Sequence, residues 1–139
     1  MADASSSDRT SFENFVFTKL LVNDLEMSAA FYVAVFGFVE LARVDAQITG
    51  RAISEIVYQP TSSGGPLFIL AKFKDTTKPV TDETILGFST KDMAAWLTRV
   101  EKAGGRVLER LESSPTSPFL TVFIHDIEGH LVQLSQAAG

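Results

Sequence analysis

"DLEMSAAFYVAVFGFV" (24–39) and "DMAAWLTRVEKAGGRV" (92–107) share one layout: an Asp, an apolar helical pattern, then a Gly. Asp24 aligns with Asp92, Leu25 with Met93, Gly37 with Gly105 and Val39 with Val107, each pair 68 residues apart. Asp24 reads as an N-cap, because its carboxylate can accept from the free amides of a first helical turn. Leu25, Ala29, Tyr32, Val35 and Phe36 then fall on one helical face, and Gly37 supplies a left-handed stop. Asp92 repeats the cap. Met93, Trp96, Leu97, Val100 and Ala103 repeat the stripe, and "AGG" (103–105) ends it.

The flanks repeat as well. "FVFTKLLV" (15–22) is β-rich and apolar, and runs 38–44, 53–59 and 67–73 read as strands separated by turn material at 46–50 and 60–65. After the first helix the order is therefore three strands, making one β-α-β-β-β unit. "KDTTKPVTDE" (74–83) is polar and holds a Pro. A second strand (84–90), the second helix and strands near 106–111, 119–125 and 130–135 follow, with the turn "DIEG" (126–129) before the last. "GPLFILA" (65–71) also lies over "GHLVQLS" (129–135), 64 residues apart, so only loop lengths differ between the units. A whole element order said twice argues for two copies of one module, since neither sheet hides its apolar face alone. The expected divisions are a disordered tail over 1–13 and a single domain over 14–139. Within that domain, module one spans 14–74, the linker 75–83 and module two 84–136.

Composition narrows the function. A net charge of −5 with a pI near 4.9, and no Lys/Arg cluster, argues against nucleic acid or an anionic membrane as partner. Without Cys the chain has no disulfide, thiol nucleophile or thiolate metal site. No apolar run approaches a membrane span. "MADASSSDRTS" has neither a basic n-region nor an apolar h-region, so a cytoplasmic location is the default expectation. The eleven Phe residues suit a core, and also an apolar ligand cavity.

"LLVNDLEMSAAFYVAVFGF" (20–38), "FSTKDMAAWLTRVEKAGGRV" (88–107) and "DIEGHLVQL" (126–134) together resemble the vicinal oxygen chelate superfamily of glyoxalase, bleomycin-resistance and extradiol dioxygenase proteins. The resemblance covers residues 15–135. It implies an α+β fold in which two βαβββ modules form curled mixed sheets around an open cavity, usually in a homodimer. Family enzymes commonly hold a divalent metal with one side chain from each of four strands. Carried onto this sequence, those positions fall on Phe17, Ile69, Ile85 and Gln133. Such metals need imidazole nitrogen or carboxylate oxygen, which Phe and Ile lack, and Gln133 alone is a weak ligand. A slip of one residue offers Val16 or Thr18 in the first strand and Thr84 or Leu86 in the fifth, none a better ligand. The expectation is no metal and no cofactor.

Alternation along strands lines the cavity instead with Phe17, Lys19 and Leu21, then Leu67 and Ile69, then Ile85 and Ser89, and finally Gln133. Glu55 and Tyr58 in "ISEIVY" lie on opposite faces, so one of them reaches the cavity. Filling by these same side chains would leave a plain core. Lys19 argues against that, being costly to bury without a partner. Its ammonium can snorkel at the mouth, pair with an acid such as Glu55, or meet an anionic ligand. His125 beside Asp126 has the form of a base with its orienting carboxylate, but such a pair is more often a turn with an exposed His, which is the reading preferred here. No nucleophilic triad assembles. The reading is a metal-independent small-molecule-binding protein that holds an apolar or aromatic ligand for sequestration or resistance. The alternative is a metal-free isomerase, cyclase or lyase acting by acid–base chemistry, with no catalytic residue assigned.

Overall fold

The computed structural model describes residues 13–137. The tail expected over 1–13 lies outside the described residues except for Glu13. Module one is β1 (Phe17–Leu21), α1 (Leu25–Phe36), β2 (Glu40–Ile48), β3 (Arg51–Tyr58) and β4 (Leu67–Phe73). Module two is β5 (Leu86–Ser89), α2 (Met93–Lys102), β6 (Arg106–Leu111), β7 (Phe119–His125) and β8 (Leu131–Ala137). They form two four-stranded sheets, ordered β1-β4-β3-β2 and β5-β8-β7-β6. In each, the first strand runs parallel to the last and the remaining pairs are antiparallel. A parallel pair needs a long crossover, and the helix with its two following strands supplies it. The repeat survives at the level of register: Lys19 pairs with Ile69 and Gly87 with Gln133, the same two offsets seen in the sequence.

Both caps form as their chemistry requires. The Met27 amide donates to the Asp24 carboxylate at 3.0 Å, and the Ala95 amide to Asp92 at 3.1 Å. Gly37 is left-handed, with φ 71°. Its counterpart in module two is Gly104, with φ 97°, and not Gly105. Gly105 is needed for a different reason. A Cβ there would sit 2.8 Å from the Phe31 ring, from Val100 and from the His125 carbonyl. The strands of the first hairpin run further than their composition suggests. Residues 46–48 stay in β2, and the turn shrinks to Thr49 (φ 51°) and Gly50 (φ 80°). Two successive positive φ values make the type I′ turn whose twist matches a hairpin.

The helices lie against the even-numbered side of the strands. Phe31, Tyr32 and Val35 of α1 pack on Leu20, Ile56, Tyr58, Phe68 and Leu70. Met93 and Val100 of α2 join Val122, Ile124, Val132 and Leu134 in the same cluster. The two helices also touch each other. Phe36 stacks on Phe88 at 4.0 Å and meets the edge of Trp96 at 5.0 Å, so aromatics from both modules close the junction. Phe36, Phe88 and Trp96 are partly buried there, whereas Phe31, Phe38 and Phe68 are buried in the core, each such buried side chain contributing about 1.5–3 kcal/mol over leaving it exposed. Part of the Phe surplus is therefore core. Among the described residues, no helix is long and apolar enough to cross a membrane.

Candidate functional site

With even positions turned to the helices, odd positions of β1, β3 and β4 face the open side. Phe17, Lys19, Leu21, Glu55, Leu67 and Ile69 thus share one sheet face. Lys19 lies in register with Ile69, and Glu55 with Ala71 two residues further along β4. The Lys19 ammonium reaches over β4 to the Glu55 carboxylate at 2.5 Å and lies 5.4 Å from the Phe17 ring centroid. Of the three ways to accommodate that lysine, the structure shows pairing with the acid. Ile69 and Ala71 beneath the pair are buried, while Phe17 and Leu21 at the rim are 43% and 39% exposed. The face is a greasy surface crossed by one ion pair.

The second sheet offers a more polar open face. Ser89 and Gln133 point away from α2, with Gly87 beside Gln133 and Ser135 beside Ser89. Ile85 falls just before β5, which is shorter than expected, and stands 56% exposed. The expected lining is divided among cavities. Leu67 borders a cleft of about 160 Å³ shared with Thr18 and with Leu86, Gly87 and Phe88 of module two. Leu21 borders one of about 310 Å³ closed by Phe73, Arg51 and linker residues that include Thr76, Pro79 and Val80. Glu55 borders a third of about 210 Å³ with Glu26 and Arg43. The Arg51 guanidinium lies 3.8 Å above the Phe73 ring and is bound by Asp75 at 3.0 and 2.7 Å, which ties the linker to the end of the open face.

Tyr58 is a correction. It is 1% exposed and sits on the helix side, 5.5 Å from the Phe38 ring, because the even-numbered strand residues Leu20, Ile56, Phe68 and Leu70 turn that way with it. Glu55, not Tyr58, is the member of that run on the open face. The Tyr58 hydroxyl has no hydrogen-bond partner among the described residues, and burial raises its pKa. A buried hydroxyl without a partner costs about 1–3 kcal/mol. Tyr58→Phe is therefore expected to keep or raise the urea midpoint, and a clear fall would show a partner that the structure lacks.

The pairing of His125 with Asp126 does not form. The Asp126 carboxylate belongs instead to a buried cluster that sequence reasoning missed. The Tyr32 hydroxyl donates to it at 2.7 Å, and the amides of Glu128 and His130 each donate at 2.9 Å. His130 Nδ1 lies 2.9 and 3.1 Å from its two oxygens, and His130 Nε2 lies 3.1 Å from the Leu21 carbonyl. Next to it, the Glu128 carboxylate accepts from the Asn23 amide at 2.8 Å and the Asp24 amide at 2.6 Å. Burial pushes Asp126 up, but the hydrogen bond and charge of His130 and the bond from Tyr32 outweigh it, so its pKa is lowered. Burial likewise pushes His130 down, and Asp126 and the Leu21 carbonyl reverse the sign. Tyr32 is raised well above its usual value by burial and then by Asp126. The one signal in the sequence was Asp126 four residues before His130 across a Gly turn.

The four positions implied for a metal carry Phe17, Ile69, Ile85 and Gln133. Three have no lone pair to give. Among the described residues, no group of three or more acidic or His side chains is placed to hold a metal ion. This donor set does not fit a divalent cation.

Two crossover-linked modules, each with a helix on one face and a free face on the other, define an α+β architecture of paired mixed sheets. The chain belongs to the Glyoxalase/Bleomycin resistance protein/Dioxygenase superfamily, whose family model matches residues 14–134. Solved structures agree on the fold. A glyoxalase family protein from Bacillus cereus matches with TM-score 0.74 at 15% identity, over 100% of this chain and 99% of its own. The fosfomycin resistance protein FosX from Mesorhizobium loti matches with TM-score 0.62 at 17% identity, over 88% and 90%. A glyoxalase I variant from Zea mays matches with TM-score 0.70 at 17% identity, covering 91% of this chain and 46% of that one. No match was found among the curated proteins.

Proposed function

We propose that this protein binds an apolar or aromatic small molecule on the open face of its first sheet, without a metal ion, for sequestration or resistance. The observation that carries this reading is the character of that face. Phe17, Leu21 and Leu67 supply apolar area above the buried Ile69, and the Lys19–Glu55 pair supplies one fixed polar contact. Small-molecule sites combine those two things. Each Å² of guest covered is worth about 25 cal/mol. Gln133 and Ser89 of a second sheet would orient the guest's polar groups.

Completion of the site by a second copy is part of the same reading. β1 and β5 each form one edge of their sheets, and Phe15, Val16, Phe17 and Ile85 around them are all exposed. Exposed apolar clusters of this kind mark association surfaces. Light scattering is expected to report a homodimer, and a monomer at micromolar concentration would remove this element.

The test of binding uses the apolar fluorophore anilinonaphthalene sulfonate as probe. Lys19→Met is expected to weaken its binding about tenfold, equivalent to about 1.4 kcal/mol, measured well below the unfolding midpoint, which falls because the buried Glu55 carboxylate loses its partner. Equal affinity for both proteins would count against the proposal. The enzyme alternative, a metal-free isomerase, cyclase or lyase, has the same ion pair in its favour as a proton donor and acceptor. Turnover of a bound compound, lost in Glu55→Gln, would establish it.

A further inference from the structure

The junction between the modules contains a side chain whose contacts fix its protonation state. His130 is 2% exposed, and both of its ring nitrogens face acceptors. Nδ1 faces the Asp126 carboxylate and Nε2 the Leu21 carbonyl, which has no proton of its own to offer. A neutral imidazole carries one N–H and can satisfy only one of them. The imidazolium satisfies both. We propose that His130 is a doubly protonated clamp between the two modules, so that the junction, and with it the seating of β1, loosens when His130 loses a proton.

The clamp spans the interface by construction. Asp126, Glu128 and His130 all belong to the turn before β8, whereas Leu21 ends β1 and Tyr32 lies on α1. The groups facing the ring from every side are Asp126 and Glu128 from its own turn, the Tyr32 hydroxyl through Asp126, and the Leu21 carbonyl from β1. None of them is cationic, so nothing nearby opposes the positive ring. Glu128 strengthens the same junction by accepting from the Asn23 and Asp24 amides, where the chain turns from β1 into α1. The Leu21 side chain stands on the open face, so the clamp reaches the proposed guest site through a single residue. The clamp itself does not depend on that reading of function.

The sign of the pH effect follows. His130 has its pKa raised on folding, so its contribution is full below the ordinary imidazole value of 6.5 and is lost as pH rises through the higher folded value. Asp126 has its pKa lowered, so its contribution is full above the ordinary carboxylate value of 3.8 and is lost as pH falls through the lower folded value. The junction is tightest between those two values.

The experiment is a long-range proton–nitrogen correlation spectrum of the full chain across a pH titration. The chain has only two His, and a His125→Gln variant assigns them. His130 is expected to show both nitrogens protonated at pH 7 and to titrate above the ordinary imidazole value. Corrected for intrinsic rates, exchange of the Asn23 and Asp24 amides is expected to quicken across the same range. The urea midpoint of the wild type should fall there, while that of His130→Gln stays flat. A single neutral tautomer at pH 7 would overturn the proposal, and so would parallel stability profiles of the two proteins. If His130→Gln does not fold, the spectrum and amide exchange of the wild type decide alone.

Discussion

Asp126→Ala is expected to be the most damaging single substitution at the module junction, lowering stability by about 3–5 kcal/mol. The side chain accepts from the Tyr32 hydroxyl and from the amides of Glu128 and His130, and it neutralises the His130 ring. All of these partners are then left without it, at a place where Asp126 itself is 3% exposed. Removing one partner of a buried ion pair leaves an uncompensated charge, which is why the cost exceeds that of an ordinary hydrogen bond of about 1 kcal/mol. The check is equilibrium urea unfolding at pH 6, where both charges are present. Tyr32→Phe removes one contact and leaves the pair, so its expected cost is smaller, about 1–2 kcal/mol. Equal, small effects from both substitutions would show that the cluster is not the fastening point described.

The second large effect is at Phe31. This ring is 1% exposed on α1, packs edge-on to Tyr32 at 5.4 Å, and lies against the place in module two where Gly105 has no Cβ. Phe31→Ala removes the ring from a site walled by two helices and two sheets, where collapse is restricted, and is expected to cost about 3–5 kcal/mol. Gly105→Ala fails for the opposite reason. Its methyl meets the Phe31 ring, Val100 and the His125 carbonyl, an overpacking expected to cost about 1–3 kcal/mol. Because the two residues share one space, Phe31→Leu combined with Gly105→Ala should cost less than the sum of the single changes. The coupling is read from urea midpoints of the four proteins. Strict additivity would mean that Phe31 and Gly105 do not share that space.

How much of this was legible in the sequence depends on the range of the interaction. Caps, apolar stripes and alternation are local, and from them the modules, the element order and the open-face residues Phe17, Lys19 and Ile69 follow. Strand ends were less readable. Residues 46–48 look like turn material but continue β2, because a type I′ turn needs only Thr49 and Gly50. Gly104 and Gly105 are indistinguishable in sequence, yet one ends a helix and the other makes room for a ring from the other module. The face of Tyr58 could not be read from "ISEIVY", whose apolar residues alternate poorly. The His130 clamp joins residues 109 positions apart and leaves almost no local trace. Ion-pair partners are chosen by tertiary placement, so Asp126 takes the distant-looking His130 over its neighbour His125.

The central claim is that the open face holds a guest by its own side chains. The measurement that tests it most directly is a thermal-shift panel of aromatic metabolites and antibiotics, run once with excess chelator and once with added zinc, nickel, iron or manganese. At least one aromatic compound is expected to raise the unfolding temperature equally under both conditions, and no metal is expected to do so alone. A shift produced by a metal alone, or by a guest only when metal is present, would contradict it.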